Sequence, residues 1–576
     1  MRKSIWMTLL TIFMLTAVLG GDQAPAPRDP RFAQVDRIFA EWAKPDTPGC
    51  VIGIIENGRL LYAKGYGMAN LDYNVPLTPR SVVYIASTSK QFTAACVALL
   101  VLRGQVSLED DIRKYFPEIP DYGTPIRVRN LIHHTSGIRD YLGLMSLAGL
   151  NFEDYFNDDT ALESIVRQKR LNFTPGAEYN YSNSGYVLLA ELVRRVSGRS
   201  LRQFADENIF KPLGMSRTHF NDDRSLVVKD RVISYAPLEE EAAPAQSSAD
   251  SGKAREAGKV GGYRQYFKNF DAVGDGDLLT TVEDLFKWDQ NFYDPKVGGV
   301  QFIDLILTRG KLNDGKDQDY AFGLMHGEYG GLKTVSHGGA MLGFRTEILR
   351  FPNQRFTVIC LSNLSTFNPS DKCQKVADLF LADKLKAPDK KPGSTAAPVS
   401  ISPAILDSYA GKYRLSVGPV VSILRDGGGL SLEIAGQPKM GLTALSEKEF
   451  LEEKTGLKLT FQKDDKSGDM RIAVHAQGAD ISAEKLMIKS PTAEQLREYT
   501  GTYACAELDC SYALYLDGDK LMVRVRKNPP QRLEMTDSDA FAAASFKLVF
   551  TRDAGRKITG FVIDAGRVMN LAFQRQ

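Results

Sequence analysis

The rhythm of apolar and polar positions divides the chain into segments of different kinds. The first, Ile5–Leu19, is an apolar run free of charged residues behind Arg2 and Lys3, followed by Gly20, Gly21 and Asp22. A charged start, an apolar stretch of that length and a small-residue zone predict an export signal over residues 1–21. The run is short for a spanning helix and no second long one follows, so membrane contact is expected only through this signal, cleaved or kept as an anchor.

Strand-like runs Gly49–Ile55 and Leu60–Gly65 then flank Asn57-Gly58, a dipeptide suited to a two-residue hairpin turn. From Ser87 to Arg103 the chain is apolar nearly all round and stops at Gly104, the pattern of a helix that sits in an interior. Helical spacing returns over Ala161–Arg170, Gly185–Ser197 and Val282–Phe292, the last with Thr281 and Asp284 placed for a capped start. Strand spacing reappears at Thr334–Val335, Thr346–Phe351 and Phe356–Cys360, before a closing helix over Cys373–Leu385. Strands at both ends with helices between predict an α+β domain over residues 30–385, an antiparallel sheet with helices on both sides.

Two polar stretches interrupt this pattern. Glu239–Lys253 reads as a mobile loop and residues 386–402 as an extended linker. Past the linker the chain turns to short strands with almost no helix signal, and it repeats itself. Leu406-x-x-Tyr409-x-Gly411-x-Tyr413 returns as Leu496-x-x-Tyr499-x-Gly501-x-Tyr503, and Asp426-Gly427 returns as Asp517-Gly518. Two small antiparallel β-barrel-like domains are expected, over 403–490 and 491–576.

Composition narrows the chemistry. With 72 Lys+Arg against 70 Asp+Glu the net charge is +2, which argues against a nucleic-acid partner. Six histidines, only two of them adjacent (His133 and His134), and no HExxH or CxxC spacing point away from a metal enzyme, and no cofactor is expected. Of the six cysteines, Cys50, Cys96 and Cys360 lie in apolar stretches, while Cys505 and Cys510 bracket a four-residue loop across which an oxidising compartment could close a disulfide.

Three short patterns carry candidate chemistry. In Ser87-Thr88-Ser89-Lys90 a serine and a lysine stand one helical turn apart on one face, and a lysine of lowered pKa can take the serine's proton. Ser482-x-x-Lys485 shows the same spacing in a β segment, where the geometry fails. Tyr181-Ser182-Asn183 follows the Thr174-Pro175-Gly176 turn. It offers a phenol as proton carrier and an amide to orient the lysine or a substrate, whereas Tyr155-Phe156-Asn157 lacks such a turn. His337-Gly338-Gly339 enters a strand whose glycines would admit a substrate backbone, with Ala340 N–H and Ser87 N–H as candidate oxyanion donors. Taken singly, each also has a plain reading: a chance Ser-x-x-Lys match, a packed core tyrosine, a glycine-rich bulge with a surface histidine.

Their order gives them force. Ser-x-x-Lys, Tyr-x-Asn and His-x-Gly at 87, 181 and 337, with Leu131–Gly137, Phe173–Gly176 and Leu278–Thr281 leading to Asp284, resemble the serine β-lactamase and penicillin-binding superfamily, in its class C-like branch. That resemblance covers residues 30–385. It implies catalytic roles for Ser87, Lys90 and Tyr181, substrate-binding roles for Asn183, His337, Gly339 and Ala340, and structural roles for His133 and His134. His337 stands where many β-lactamases have lysine, and the His-x-Gly form with two β domains is similar to D-aminopeptidases, in which a β-domain loop reaches the active site. The resemblance implies an exported, periplasmic or extracellular hydrolase of short peptides containing D-residues, cell-wall fragments among them. An esterase, a β-lactamase or a non-turnover penicillin-binding sensor are the alternatives.

Overall fold

The computed structural model describes residues 29–152, 154–238, 262–386, 399 and 401–576, apart from short segments at 416–419, 435–438, 453–455, 465–468, 477–478 and 487–490. The expected export signal, the expected loop at 239–253 and nearly all of the expected linker lie outside the described residues. Among the described residues no helix is long and apolar enough to cross a membrane.

The expected sheet is present. Its six antiparallel strands run in the order Met325–Tyr329, Leu332–Met341, Phe344–Phe351, Phe356–Ser362, Cys50–Glu56, Arg59–Tyr66, so the first strand of the chain pairs with the last of the domain. Cys50 stands opposite Ser362 and Ile54 opposite Val358. Asn57 and Gly58 both adopt positive φ, 50° and 79°, as the hairpin turn requires. Alternation along the strands divides two cores. Val51, Ile55, Ile359 and Leu361 face a large helical layer, whereas Cys50, Ile52, Ile54 and Cys360 face the Pro369–Phe380 helix.

The interior helix spans Lys90–Leu102, and every residue from Lys90 to Leu100 is buried. It begins later than the apolar pattern suggests because Ala86–Ser89 forms a tighter 3₁₀ turn ahead of it. Other boundaries shift for a related reason: capping residues, not apolar periodicity, set where a helix starts. Asn157 caps Asp158–Val166, where periodicity pointed to Ala161–Arg170. Asn368 caps Pro369–Phe380, where it pointed to Cys373–Leu385. Thr281 Oγ1 accepts from Asp284 N at 3.1 Å, the expected cap.

The repeat folds as two closed eight-stranded barrels, Gly411–Lys485 and Gly501–Arg575, whose first and last strands pair at Tyr413 with Lys485 and at Tyr503 with Arg575. Each barrel is entered through a short helix that the strand-rich pattern hides, Pro403–Tyr409 and Ala493–Arg497. The repeated motif makes the same bonds twice. Tyr413 donates to Tyr409 O at 2.7 Å and Tyr503 to Tyr499 O at 2.9 Å, while Gly411 and Gly501 take φ of 147° and 145°, a region open to glycine. Cys505 and Cys510 lie directly opposite each other as free thiols.

The second barrel is fastened to the sheet domain through Arg139, whose side chain is fully buried. Its guanidinium donates to Glu507 Oε2 (2.8 Å), Gln168 Oε1 (2.9 Å), Met569 O (2.9 Å) and Asn570 O (2.8 Å). Removing one partner of such a buried pair leaves the other charge uncompensated, at a cost of about 3–5 kcal/mol. Arg139→Leu is therefore expected to release the second barrel early, as a separate low-temperature calorimetric transition and as proteolytic cleavage near residue 490; a single unshifted transition contradicts this.

Candidate active site

The site is built around the start of the interior helix. Ala86 adopts φ 48°, costly for a residue with a Cβ, and this turn holds Ser87 at the rim of a cleft of about 1060 Å³. Ser89 is buried, its hydroxyl donating to Ala86 O at 2.5 Å and accepting from Leu278 N at 3.2 Å, so it braces the turn and cannot meet a substrate.

One turn on, the Lys90 side chain is fully buried. Its Nζ lies 3.2 Å from Ser87 Oγ and 2.9 Å from Asn183 Oδ1, and it also reaches Asp275 O. Burial draws the ammonium down to about 8, against the upward pull of the Asp275 and Asp140 carboxylates and with help from the Arg567 charge. As a neutral amine, Lys90 has two N–H donors for Asn183 and Asp275 and a lone pair left for the Ser87 proton. The same burial pushes the Asp275 carboxyl up, with Lys90 opposing.

Tyr181 arrives from elsewhere in the chain. It precedes the Asn183–Ser197 helix, whose start is held by side chains: Ser182 N donates to His134 Nδ1 at 3.1 Å and Asn183 N to Asp140 Oδ2 at 2.7 Å. Asp140 also accepts from Gly143 N (3.1 Å), and Ser184 Oγ accepts from Tyr141 N (2.8 Å). The Tyr181 ring lies against His134, centroids 4.1 Å apart, with Lys90 Nζ 4.9 Å from its own centroid. Its hydroxyl is buried and fills no hydrogen bond of ordinary geometry; Ser87 is the hydroxyl it faces. Burial raises the phenol's pKa above the ordinary value, only partly offset by Ser87 and Arg567, so it holds its proton at neutral pH.

The third pattern lies on the Leu332–Met341 strand. His337 is buried and neutral, brought down to about 4 by burial and by Lys90. Its Nδ1 lies 2.7 Å from Gly338 O, which can only accept, so Nδ1 carries the proton and Nε2 accepts from Tyr320 OH at 3.0 Å. Both ring nitrogens are thus bonded within the protein. Gly339 has a packing reason that its sequence does not show: a Cβ there would stand 2.3 Å from Ile85 O and 2.4 Å from Thr346 Oγ1. It lets the strand close onto the turn that carries Ser87. Ala340 is exposed to the cleft that Ser87, Tyr181 and Asn183 line.

The rival motifs separate from this site. Tyr155 is exposed against Arg224, and Asn157 caps a helix. Ser482 and Lys485 lie on one strand, with Lys485 Nζ bonded to Ser408 O at 2.6 Å. Four residues at the site were not singled out from sequence. Asp140 and Asp275 hold Asn183 and Lys90, Tyr320 holds His337, and Arg567 enters from the second barrel. Only Asp275 had a visible signal, the Gly274-Asp275-Gly276-Asp277 cluster ahead of the Leu278–Thr280 strand. Among the described residues no group of His, Cys, Asp and Glu is gathered that could hold a metal ion.

Comparison with known proteins places the chain in a family and a fold. The Beta-lactamase family model matches residues 35–382. Penicillin-binding protein 4* of Bacillus subtilis is 29% identical over 405 residues, 69% of this chain and 86% of that protein. The D-aminopeptidase of Brucella anthropi is 25% identical over 551 residues, 92% of this chain and 95% of that protein, so its likeness extends through both barrels. In fold, the octameric penicillin-binding protein homologue from Pyrococcus abyssi superposes with a TM-score of 0.54 at 24% identity, over 78% of this chain and 99% of that one. With the family model matching more than half its length and the serine–lysine–tyrosine cluster assembled in the matched region, this chain belongs to the Beta-lactamase family.

Proposed function

We propose that this serine hydrolase is an exported peptidase of the D-aminopeptidase or D,D-peptidase kind, cutting amide bonds in short peptides that contain D-residues. The observation that carries the chemistry is the buried Lys90 amine 3.2 Å from the Ser87 hydroxyl. The full-length likeness to a D-aminopeptidase supports the substrate class. Export is supported by the Arg2-Lys3 start and the apolar run behind it. At His337 a substrate carboxylate meets no charge, since the ring is neutral and bonded on both sides.

In this mechanism neutral Lys90 takes the Ser87 proton as Oγ attacks the carbonyl carbon. The oxygen of the tetrahedral intermediate meets backbone N–H groups of Ser87 and Ala340. As the C–N bond breaks, the Tyr181 phenol gives its proton to the leaving nitrogen and is reprotonated from Lys90, which restores the neutral amine. Water then attacks the acyl carbon, its proton passing by way of Tyr181 to Lys90, and the ammonium so formed returns a proton to Ser87 Oγ as the ester C–O bond breaks and the acid leaves. Asn183 holds Lys90 throughout, through its 2.9 Å bond.

Three outcomes follow. Ser87→Ala should lower kcat by about 10⁴-fold or more and abolish labelling by a fluorophosphonate, whereas Ser89→Ala keeps the label; the reverse pattern assigns the wrong serine. Tyr181→Phe should fold normally, as judged by circular dichroism, and lose about 10²–10⁴-fold in kcat; unchanged turnover removes the phenol from the mechanism. Because Lys90 acts only after losing its proton, kcat/KM should be low in acid and climb to a plateau as pH rises through about 8. A profile that falls across that range would show that the ammonium is the active form.

A further inference from the structure

The second barrel contributes a charge to the cleft. Its loop Ala565–Arg567 lines the cavity beside Tyr181 and Asn183, and the loop's backbone is pinned by the residues that build the site. Arg567 O accepts from Asp140 N (3.1 Å) and Asn172 Nδ2 (2.9 Å), and Gly566 O accepts from Asn180 Nδ2 (3.1 Å). Met569 N in turn donates to Asn172 Oδ1 at 2.8 Å. The loop is therefore registered to Tyr181 from both sides.

The Arg567 side chain is not used in that anchoring. Its guanidinium carbon lies 4.7 Å from the Tyr181 ring centroid, it is exposed, and among the described residues no carboxylate pairs with it. The other charges around the cleft are engaged. Lys90 is buried under Ser87, His337 is bonded at both nitrogens, and Arg345 Nη1 donates to Leu342 O and Phe344 O at 2.7 and 2.8 Å. Of the carboxylates, Asp140 accepts two backbone N–H groups, Asp277 pairs with Lys268, and Glu347 accepts from Ser370 Oγ at 2.7 Å.

Position then gives the charge a purpose. Tyr181 protonates the leaving nitrogen, so whatever is attached to that nitrogen comes to rest beside the Tyr181 ring, under the guanidinium. We propose that Arg567 is a specificity-determining residue that binds the carboxylate of the leaving amino acid. The preferred substrates are then short peptides cut at the last peptide bond before a free C-terminal carboxylate. A guanidinium suits this task, since its fork can meet both carboxylate oxygens. The second barrel supplies the cation that His337 does not. This assignment rests on the peptidase reading above.

The test compares D-alanyl-D-alanine with D-alanyl-D-alaninamide, which differ only in the charge on the leaving residue. A second pair removes the dependence on peptide cleavage: D-alanyl aryl esters whose leaving phenol carries either a carboxylate or its methyl ester. The wild type should favour the charged member of each pair. In Arg567→Ala the charged-to-neutral ratio of kcat/KM should fall about ten- to a hundredfold, the worth of a charge-assisted hydrogen bond, chiefly through a higher KM for the charged member. Arg567→Lys should restore part of the ratio and Arg567→Glu should depress it further. Equal losses on both members of each pair, or an unchanged ratio, would overturn the proposal and leave Arg567 as a brace for the loop. If the wild type cleaves the esters but neither peptide, the peptidase reading fails while the ester pair still decides the role of Arg567.

Discussion

An amine withheld from water is the constraint on which the rest of this structure depends. Lys90 begins an apolar helix with no exposed surface, and a cation in that position is stable only if its three hydrogens have acceptors or if it gives one up. The protein supplies two fixed acceptors, Asn183 Oδ1 and Asp275 O, and leaves the third direction to the Ser87 hydroxyl. Burial that would merely destabilise a core lysine makes this one a base in the proposed mechanism, because the neutral form satisfies every contact around it.

Much of the surrounding structure keeps that arrangement in register. The strained Ala86 turn fixes Ser87, and the missing side chain at Gly339 lets the Leu332–Met341 strand close against that turn. His134 and Asp140, each tied to the first residues of the Asn183–Ser197 helix, set where Tyr181 and Asn183 point. Asp140 does a second task, since its backbone N–H also anchors the Arg567 loop. The proposed proton-transfer groups and the barrel that overhangs them are therefore positioned by neighbouring residues, with Arg139 fastening the barrel behind them. The second barrel is part of the cleft wall.

How much of this was legible in the sequence follows from the range of each interaction. The hairpin at Asn57-Gly58, the interior helix, the barrel repeat and the three motifs depend on local spacing, and each is present, with only the first turn of the helix tightened into a 3₁₀ form. Helix starts were missed where a single cap such as Asn157 or Asn368 outweighed periodicity. Asp275 lies 185 residues along the chain from Lys90 with only its Gly-Asp-Gly-Asp cluster to mark it, and no local pattern marks Tyr320, 17 residues before His337. Arg567 is a further step removed: it belongs to a domain whose own sequence carries only barrel-forming signals, and its place in the cleft exists only after the domains dock. For His337 and Gly339 the residues were visible but their contacts were not. One is committed to Tyr320 and Gly338, and the other is small enough to admit a neighbouring strand and turn.

The most direct measurement is the titration of the Lys90 amine itself, followed by ¹³Cε or ¹⁵Nζ NMR in protein labelled at lysine and assigned with Lys90→Arg. A resonance that loses its proton near pH 8 in the resting protein is the result this account predicts. A Lys90 signal that stays protonated to about pH 10, as a solvated lysine does, would contradict it and leave the Ser87 hydroxyl without a base.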